Sequence, residues 1–342
     1  MEELATIAIE LSLSLIVGFG LSLIILTLFN YPALECISTM LTAGFTDINY
    51  LLNRATPLVA TGIAFAIPML AGLFNIGSEG QLYIGTLTAL VIAWFTANPV
   101  LALLGGVGAG AGVGAFIGFL KAYRDVNEVV TSIMVNWILY YFTIFTLTYY
   151  LFDPAIPHQS VPVPPSARLS VINLGIGSVG IAFVIVTLSA IAAHVILYRS
   201  ALGYAIRVVG YSLKTAVYAG IDPRKIQLVA MTLGGAFAGL GGALYLQGYI
   251  HAVDVTMSAI FGLGFTGIGV ALLGRANPLG IVLASIFVSG LAIGGQIMEL
   301  QTGAPPEVAD IILGLVITAL AVPYAYRTIV AMVRIRMRLA RL

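Results

Sequence analysis

Residues 72–85, reading GLFNIGSEGQLYIG, set Asn75, Ser78, Glu79 and Gln81 between two long apolar runs. Hydrocarbon cannot hydrogen-bond these groups, so a protein surface or water must receive them. Glu79 stands just ahead of an apolar run over 82–97, where its carboxylate can accept amide hydrogen bonds at a helix start. A plain polar loop between two membrane helices is the other reading of the cluster. No further chemistry gathers elsewhere. His158, His194 and His251 lie in different segments, and no HExxH, CxxC or GxSxG pattern gives them a catalytic role. The one cysteine, Cys36, excludes an internal disulfide and a multi-cysteine metal centre. A Walker-type GK[ST] loop is also missing, so ATP-driven work would need its nucleotide on another polypeptide. The chain is expected to be no enzyme and to hold no cofactor or metal.

The elements that carry this cluster are membrane helices. Of the 342 residues 60% are hydrophobic and 8% charged, where a soluble domain carries about a quarter charged. Net charge is +1, which suggests no nucleic-acid partner. Since about 20 apolar residues cross a bilayer, passes are expected at 9–29, 55–73, 82–97, 100–120, 134–152, 178–198, 226–247, 260–274, 279–297 and 308–326. The expected fold is all-α: one polytopic transmembrane domain over 1–342 with about ten helices. The short run at 260–274 is a candidate broken or re-entrant helix. The start, MEELATIAIELSLSLIVGFG, lacks the basic region of a cleavable signal peptide and reads as a retained first helix.

Basic residues orient the chain. Five of fifteen lie in 199–225 and five in 327–342, and short basic loops mark the cytoplasmic side. Both termini and 121–128 then fall inside, whereas 30–54 and the Pro-rich loop 153–177 fall outside. Reporters at 160 and 210 are expected on opposite faces; finding both on one face would contradict the scheme. The external loop, with prolines at 154, 157, 162, 164 and 165, favours an extended path. It is either a linker or part of a docking surface for a substrate-delivery protein.

Gly106, Gly110, Gly114 and Gly118 recur every four residues on one helix face, and Gly234, Gly235, Gly239, Gly241 and Gly242 form a comparable patch. Such faces admit close helix neighbours. The segment 256–280 has four glycines between 262 and 269. A helix broken there exposes backbone to a cavity and can recognise a polar solute, with Thr266 and Asn277 nearby. The loop 199–225 is expected to form a short helix at about 203–219, with Ala205, Val208 and Val209 on apolar faces and Arg207 and Lys214 in polar surroundings. Gly220 stops it, and Asp222 with Pro223 starts the next helix. A helix of this kind suits a partner's groove. An ion-coupled secondary transporter of a small polar solute is the competing reading. Such carriers need intramembrane ionisable groups, and the expected helices hold few acids, Glu10 and Asp310 near ends.

Three motifs in order resemble the permease subunits of ABC importers for simple sugars and nucleosides, in the superfamily that includes branched-chain amino-acid permeases. They are GLFNIGxEGQxxxG at 72–85, an RAxGxNxxAAxxAGI-like loop at 207–221, and GFxxIxVALLGRxNPxG at 264–280. The chain departs from the pattern at Val208, Val209 and Ser212, and lacks the Arg of a GRGF-like stretch at 261–264. The resemblance implies a type II importer-like permease in a cell inner or plasma membrane. It implies a second permease subunit, identical or homologous, a separate ATPase holding ATP and magnesium, and an extracytoplasmic solute-binding protein. It also implies roles: Phe74, Asn75, Phe265 and Thr266 along the substrate path; Gly77, Glu79 and Gln81 as structural motif; Arg207, Gly210, Lys214 and Gly220 in coupling to the ATPase. Nucleosides rank slightly ahead of sugars as cargo.

Overall fold

The computed structural model describes the backbone of residues 2–173 and 178–321. The basic tail expected at 327–342 lies outside the described residues. Thirteen α-helices follow in chain order among them: α1 Glu2–Leu28, α2 Ala33–Thr42, α3 Ile48–Leu70, α4 Ser78–Thr96, α5 Pro99–Arg124, α6 Glu128–Tyr149, α7 Ile181–Arg199, α8 Ala201–Tyr211, α9 Leu213–Tyr218, α10 Pro223–Tyr245, α11 Leu263–Leu273, α12 Pro278–Thr302 and α13 Pro306–Ala321. Each of the ten expected passes overlaps a helix, the last of them, 308–326, only as far as Ala321, beyond which the residues are not described. Six of them, α3, α5, α6, α7, α10 and α12, are long and apolar enough to cross a membrane. At about 1.5 Å per residue α11 covers only half of a bilayer core, so the run at 260–274 is a half-helix.

Short polar residues set the boundaries. Asn98 accepts from the amides of Val100 and Leu101, and Asn127 from those of Val129 and Val130, which starts α5 and α6. Ser200, Ser212 and Asp222 do the same for α8, α9 and α10. The single helix expected at 203–219 is therefore two, because the Ser212 hydroxyl caps a fresh start at α9. Gly220, at φ 75°, ends it. The loop at 121–128 is also shorter than expected. α5 runs on to Arg124, and Lys121 pairs with Asp125 and Glu128 at 3.7 and 3.2 Å.

The chain forms two compact units. The first, residues 1–47 with 287–342, packs α1 on α13, where Gly18 lies against Val316. In it α2, an element the hydropathy pattern does not mark, meets α12. A Cβ on Gly294 would sit 2.3 Å from the Met40 carbonyl.

The second unit, residues 48–286, is built around α10. Lipid supplies no hydrophobic drive between helices, so their association rests on close backbone contact. The two glycine faces supply it by packing on each other. A Cβ on Gly110 would lie 2.2 Å from the Gly235 carbonyl oxygen, and one on Gly239 would lie 2.2 Å from that of Gly106. Gly242 meets Leu82 of α4, and Gly234 meets Ala64 of α3, so α10 is enclosed on several sides. α3 starts at Ile48 rather than 55. Its first turns carry Asn49, Asn53 and Arg54, polar residues that read as loop but pair within the fold: Asn53 with Asn49 at 3.0 Å, and Arg54 with the Tyr245 hydroxyl at 3.4 Å.

The Pro-rich loop holds two small antiparallel pairs, β1 Phe152–Asp153 with β2 Ile156–Ser160 and β3 Val171–Asn173 with β4 Ser178–Gly180. It is no loose linker. The Ser160 amide donates to the Val253 carbonyl and that of Val163 to His251, at 2.8 and 2.7 Å.

Candidate functional site

Between α10 and α11 the backbone leaves the helical path. A π-helical turn, Leu246–Ile250, closes on His251 at φ 54°, and 251–254 bond to the Pro-rich loop just described. Further on, the Leu263 carbonyl accepts from the Thr61 hydroxyl at 3.2 Å, near the middle of α3. After α11, Asn277 Oδ1 lies 3.2 Å from His194 Nδ1, one to two turns before the end of α7. The segment thus descends from the loop as irregular chain, and α11 begins part way down. Its exposed first amides need a partner.

Glu79 supplies it. Its carboxylate accepts from the amides of Gly262, Gly264 and Phe265, and from the Tyr83 hydroxyl. The residue is 1% exposed. A negative charge is favourable at this positive helix end. Glu79 therefore caps α11 and not, as its position in the sequence suggests, its own helix. α4 begins at Ser78 rather than 82, so Glu79 stands inside its first turn, and both carboxylate oxygens are taken by the amides that precede and open α11.

The other motif residues build the loop that holds Glu79. Asn75, fully buried, donates to the Ala64 carbonyl and to Gln81 Oε1, both at 3.1 Å, and accepts from the Gly77 amide at 3.1 Å. Both its polar ends are thus committed within the loop, and its side chain is closed off from the surface. Gln81 is equally buried, and a Cβ on Gly77 would crowd both amide side chains. Phe74 is 42% exposed and meets Phe65 edge-on at 4.8 Å. Phe265 is 45% exposed, and the Thr266 hydroxyl bonds back to the Gly262 carbonyl at 2.9 Å. One further residue belongs here. Asn136 of α6 accepts from the Gly80 amide at 2.8 Å and donates to the Ile76 carbonyl at 2.9 Å. Its signal is an amide in the middle of an apolar helix, where an unpaired polar group is costly.

The basic loop joins this assembly directly. In α8, Gly210 lies so close to the end of α3 that a Cβ would stand 2.1 Å from the Leu70 carbonyl oxygen, and Gly72, at φ 77°, faces it. Gly210 thus seats α8 on this chain's own 70–72 turn, and the residue is otherwise exposed. Arg207 also turns inward, donating to the Leu197 carbonyl and lying 5.2 Å over the Tyr198 ring. Lys214 and Gly220 are exposed. Beside them Tyr211 and Tyr218 are 91% and 92% exposed, and Tyr218 lies with Leu213 and Val217 on an open cleft that Lys121, Arg224 and Lys225 also line. Gly210→Ala is expected to unseat α8 and lower coupled transport at least tenfold while Lys214→Ala leaves the fold intact. Wild-type uptake with Gly210→Ala would show that the joint carries no motion.

Comparison with known proteins agrees with this architecture. The guanosine ABC transporter permease protein NupP of Bacillus subtilis is 32% identical over 92% of this chain and 93% of its own length. The nucleoside ABC transporter permease protein NupB of Lactococcus lactis is 30% identical over 91% and 90%. The glucose ABC transporter permease protein TsgB13 of Haloferax volcanii is 32% identical over 80% and 75%. No solved structure matches the chain. The family model described as branched-chain amino acid transport system / permease component matches residues 48–321, and the chain belongs to that family, as a polytopic helical permease of an ABC transporter.

Proposed function

We propose that this permease moves a neutral nucleoside inward, with a simple sugar as the second choice of cargo. The observation that carries the reading is the occupied N-terminus of α11. Half-helix N-termini in transporters receive anionic groups of their substrates. Here the chain's own Glu79 fills that place, which favours an uncharged solute over an amino-acid carboxylate. Relatives named for guanosine, nucleosides and glucose support the same direction.

In this reading the basic loop is cytoplasmic, and a separate ATPase subunit, binding ATP and magnesium, docks on the exposed face of α8 and α9. A second permease subunit, identical or homologous, completes the pore. An extracytoplasmic binding protein delivers cargo to the face formed by 153–177. Closure of the ATPase displaces α8 as a rigid element. Gly210 passes that movement to the 70–72 turn and so to the Glu79 cap. The test is co-purification of the chain from its native membrane in mild detergent. An ATPase and a binding protein among the retained proteins are expected, and the chain recovered alone after crosslinking would overturn the proposal. Reversing the charge at Lys214 together with Tyr218→Ala is expected to lower ATPase recovery about tenfold without lowering permease yield. Undiminished recovery would remove this face from the contact.

A further inference from the structure

Tyr83, Trp137, Tyr140, Phe261 and Phe265 line one slot between α4, α6 and the start of α11. Tyr140 is its centre, with ring centroids 5.7 Å from each of Tyr83, Trp137 and Phe261. Its volume is about 40 Å³, room for about one water. Three of its walls, however, are open on their outer side. Trp137, Phe261 and Phe265 are all about half exposed, and Phe261 adjoins Gly262, at φ 82° with open space around it.

The polar atoms on the floor are already used. The Glu79 carboxylate faces the α11 amides and Tyr83, and the Asn136 amide is bonded at both ends. The slot can therefore stack a planar ring but has no floor group left to read its edge. A hexose, hydroxylated all round, would have only the Tyr140 hydroxyl and the Trp137 indole N–H on the walls to replace the many hydrogen bonds to water that it loses there. A nucleobase would lose little, because every base presents a π-face.

Resting on the nucleoside reading above, we propose that this slot is a transit site that stacks the base of a nucleoside, with Phe261 and Phe265 parting to admit it. It accepts purine and pyrimidine nucleosides alike and rejects hexoses.

The test is uptake of guanosine, uridine and glucose by the intact transporter in proteoliposomes. Trp137→Ala and Phe261→Ala are expected to lower the maximal rate for both nucleosides about five- to a hundredfold, the range that loss of one stacking partner spans. The half-saturating concentration, governed by capture outside the membrane, should hold. Trp137→Phe and Phe261→Tyr should restore most of the rate, and complex yield should match wild type in all four. Photoactivated 8-azidoguanosine should label the peptides that carry 133–140 or 261–265, with guanosine but not glucose protecting. Wild-type rates in both alanine variants, or label confined elsewhere, would overturn the slot and leave the nucleoside reading standing. A wild-type complex that carries glucose and neither nucleoside would overturn both.

Discussion

Glu79→Ala is expected to abolish accumulation of the assembled transporter. The substitution removes one carboxylate but strands the amides of Gly262, Gly264 and Phe265 and the Tyr83 hydroxyl, all of which it serves. An unsatisfied buried amide costs about 1–3 kcal/mol; that of Gly264 is buried and those of Gly262 and Phe265 are partly so, and together with the Tyr83 hydroxyl they take a large share of a typical folding stability of about 5–15 kcal/mol. Glu79→Gln keeps one acceptor oxygen and turns an NH2 group toward donors, so an intermediate yield is expected. Glu79→Asp is one methylene too short to reach α11 from α4 and should resemble alanine. The check is complex yield by size-exclusion chromatography in detergent. Wild-type yield and uptake with Glu79→Ala would mean that α11 does not depend on this cap.

The second large effect is expected where the chain has no side chain at all. Gly110→Ala places a methyl 2.2 Å from the Gly235 carbonyl oxygen and 2.8 Å from Gly239 Cα, both backbone atoms that cannot rotate away. Real Cβ contacts do not occur below 3.0 Å, so α5 and α10 must separate along their whole seam. In a core, overpacking by flexible groups costs about 1–3 kcal/mol, and a rigid backbone clash costs more. A fall in Tm of ten degrees or more, or failure to accumulate, is expected. The control is built into the same helix. Gly108 and Gly112 have no atom within 4 Å of an added Cβ, so Gly108→Ala and Gly112→Ala should melt with wild type. Equal destabilisation at 108 and 110 would mean that α5 simply tolerates no side chain, and the packing account would fail.

These two sites differ in how far the sequence discloses them. The four-residue glycine spacing marks the faces of α5 and α10 without structure, because period and helix geometry decide which residues share a side. Which face meets which is not written in either helix. The pairing of Gly110 with Gly235 depends on the order of passes and on contacts among residues far apart. The polar cluster at 72–85 is legible as a buried site for the same reason that it is costly in lipid. Its partners are not, since Glu79 reaches across 183 residues to Gly262. Local cues misled in two places. Arg54 looks like loop because its partner, the Tyr245 hydroxyl, lies 191 residues along the chain, and Asn49 and Asn53 look like loop because they pair with each other only once the helix is formed. Ser212 is an unremarked polar residue until its hydroxyl splits the coupling segment into α8 and α9. α2 is passed over because its ten residues are too few for a membrane pass, although they form an apolar helix with Cys36, Ile37 and Met40 on its buried face.

The most direct test of the account is nucleoside uptake by the co-purified complex in proteoliposomes, with ATP supplied on the face where the basic loop lies and no ion gradient imposed. Guanosine uptake that requires hydrolysable ATP and disappears when the ATPase subunit is stripped away is the predicted result. Uptake by this chain alone, driven by a proton or sodium gradient and indifferent to ATP, would contradict it.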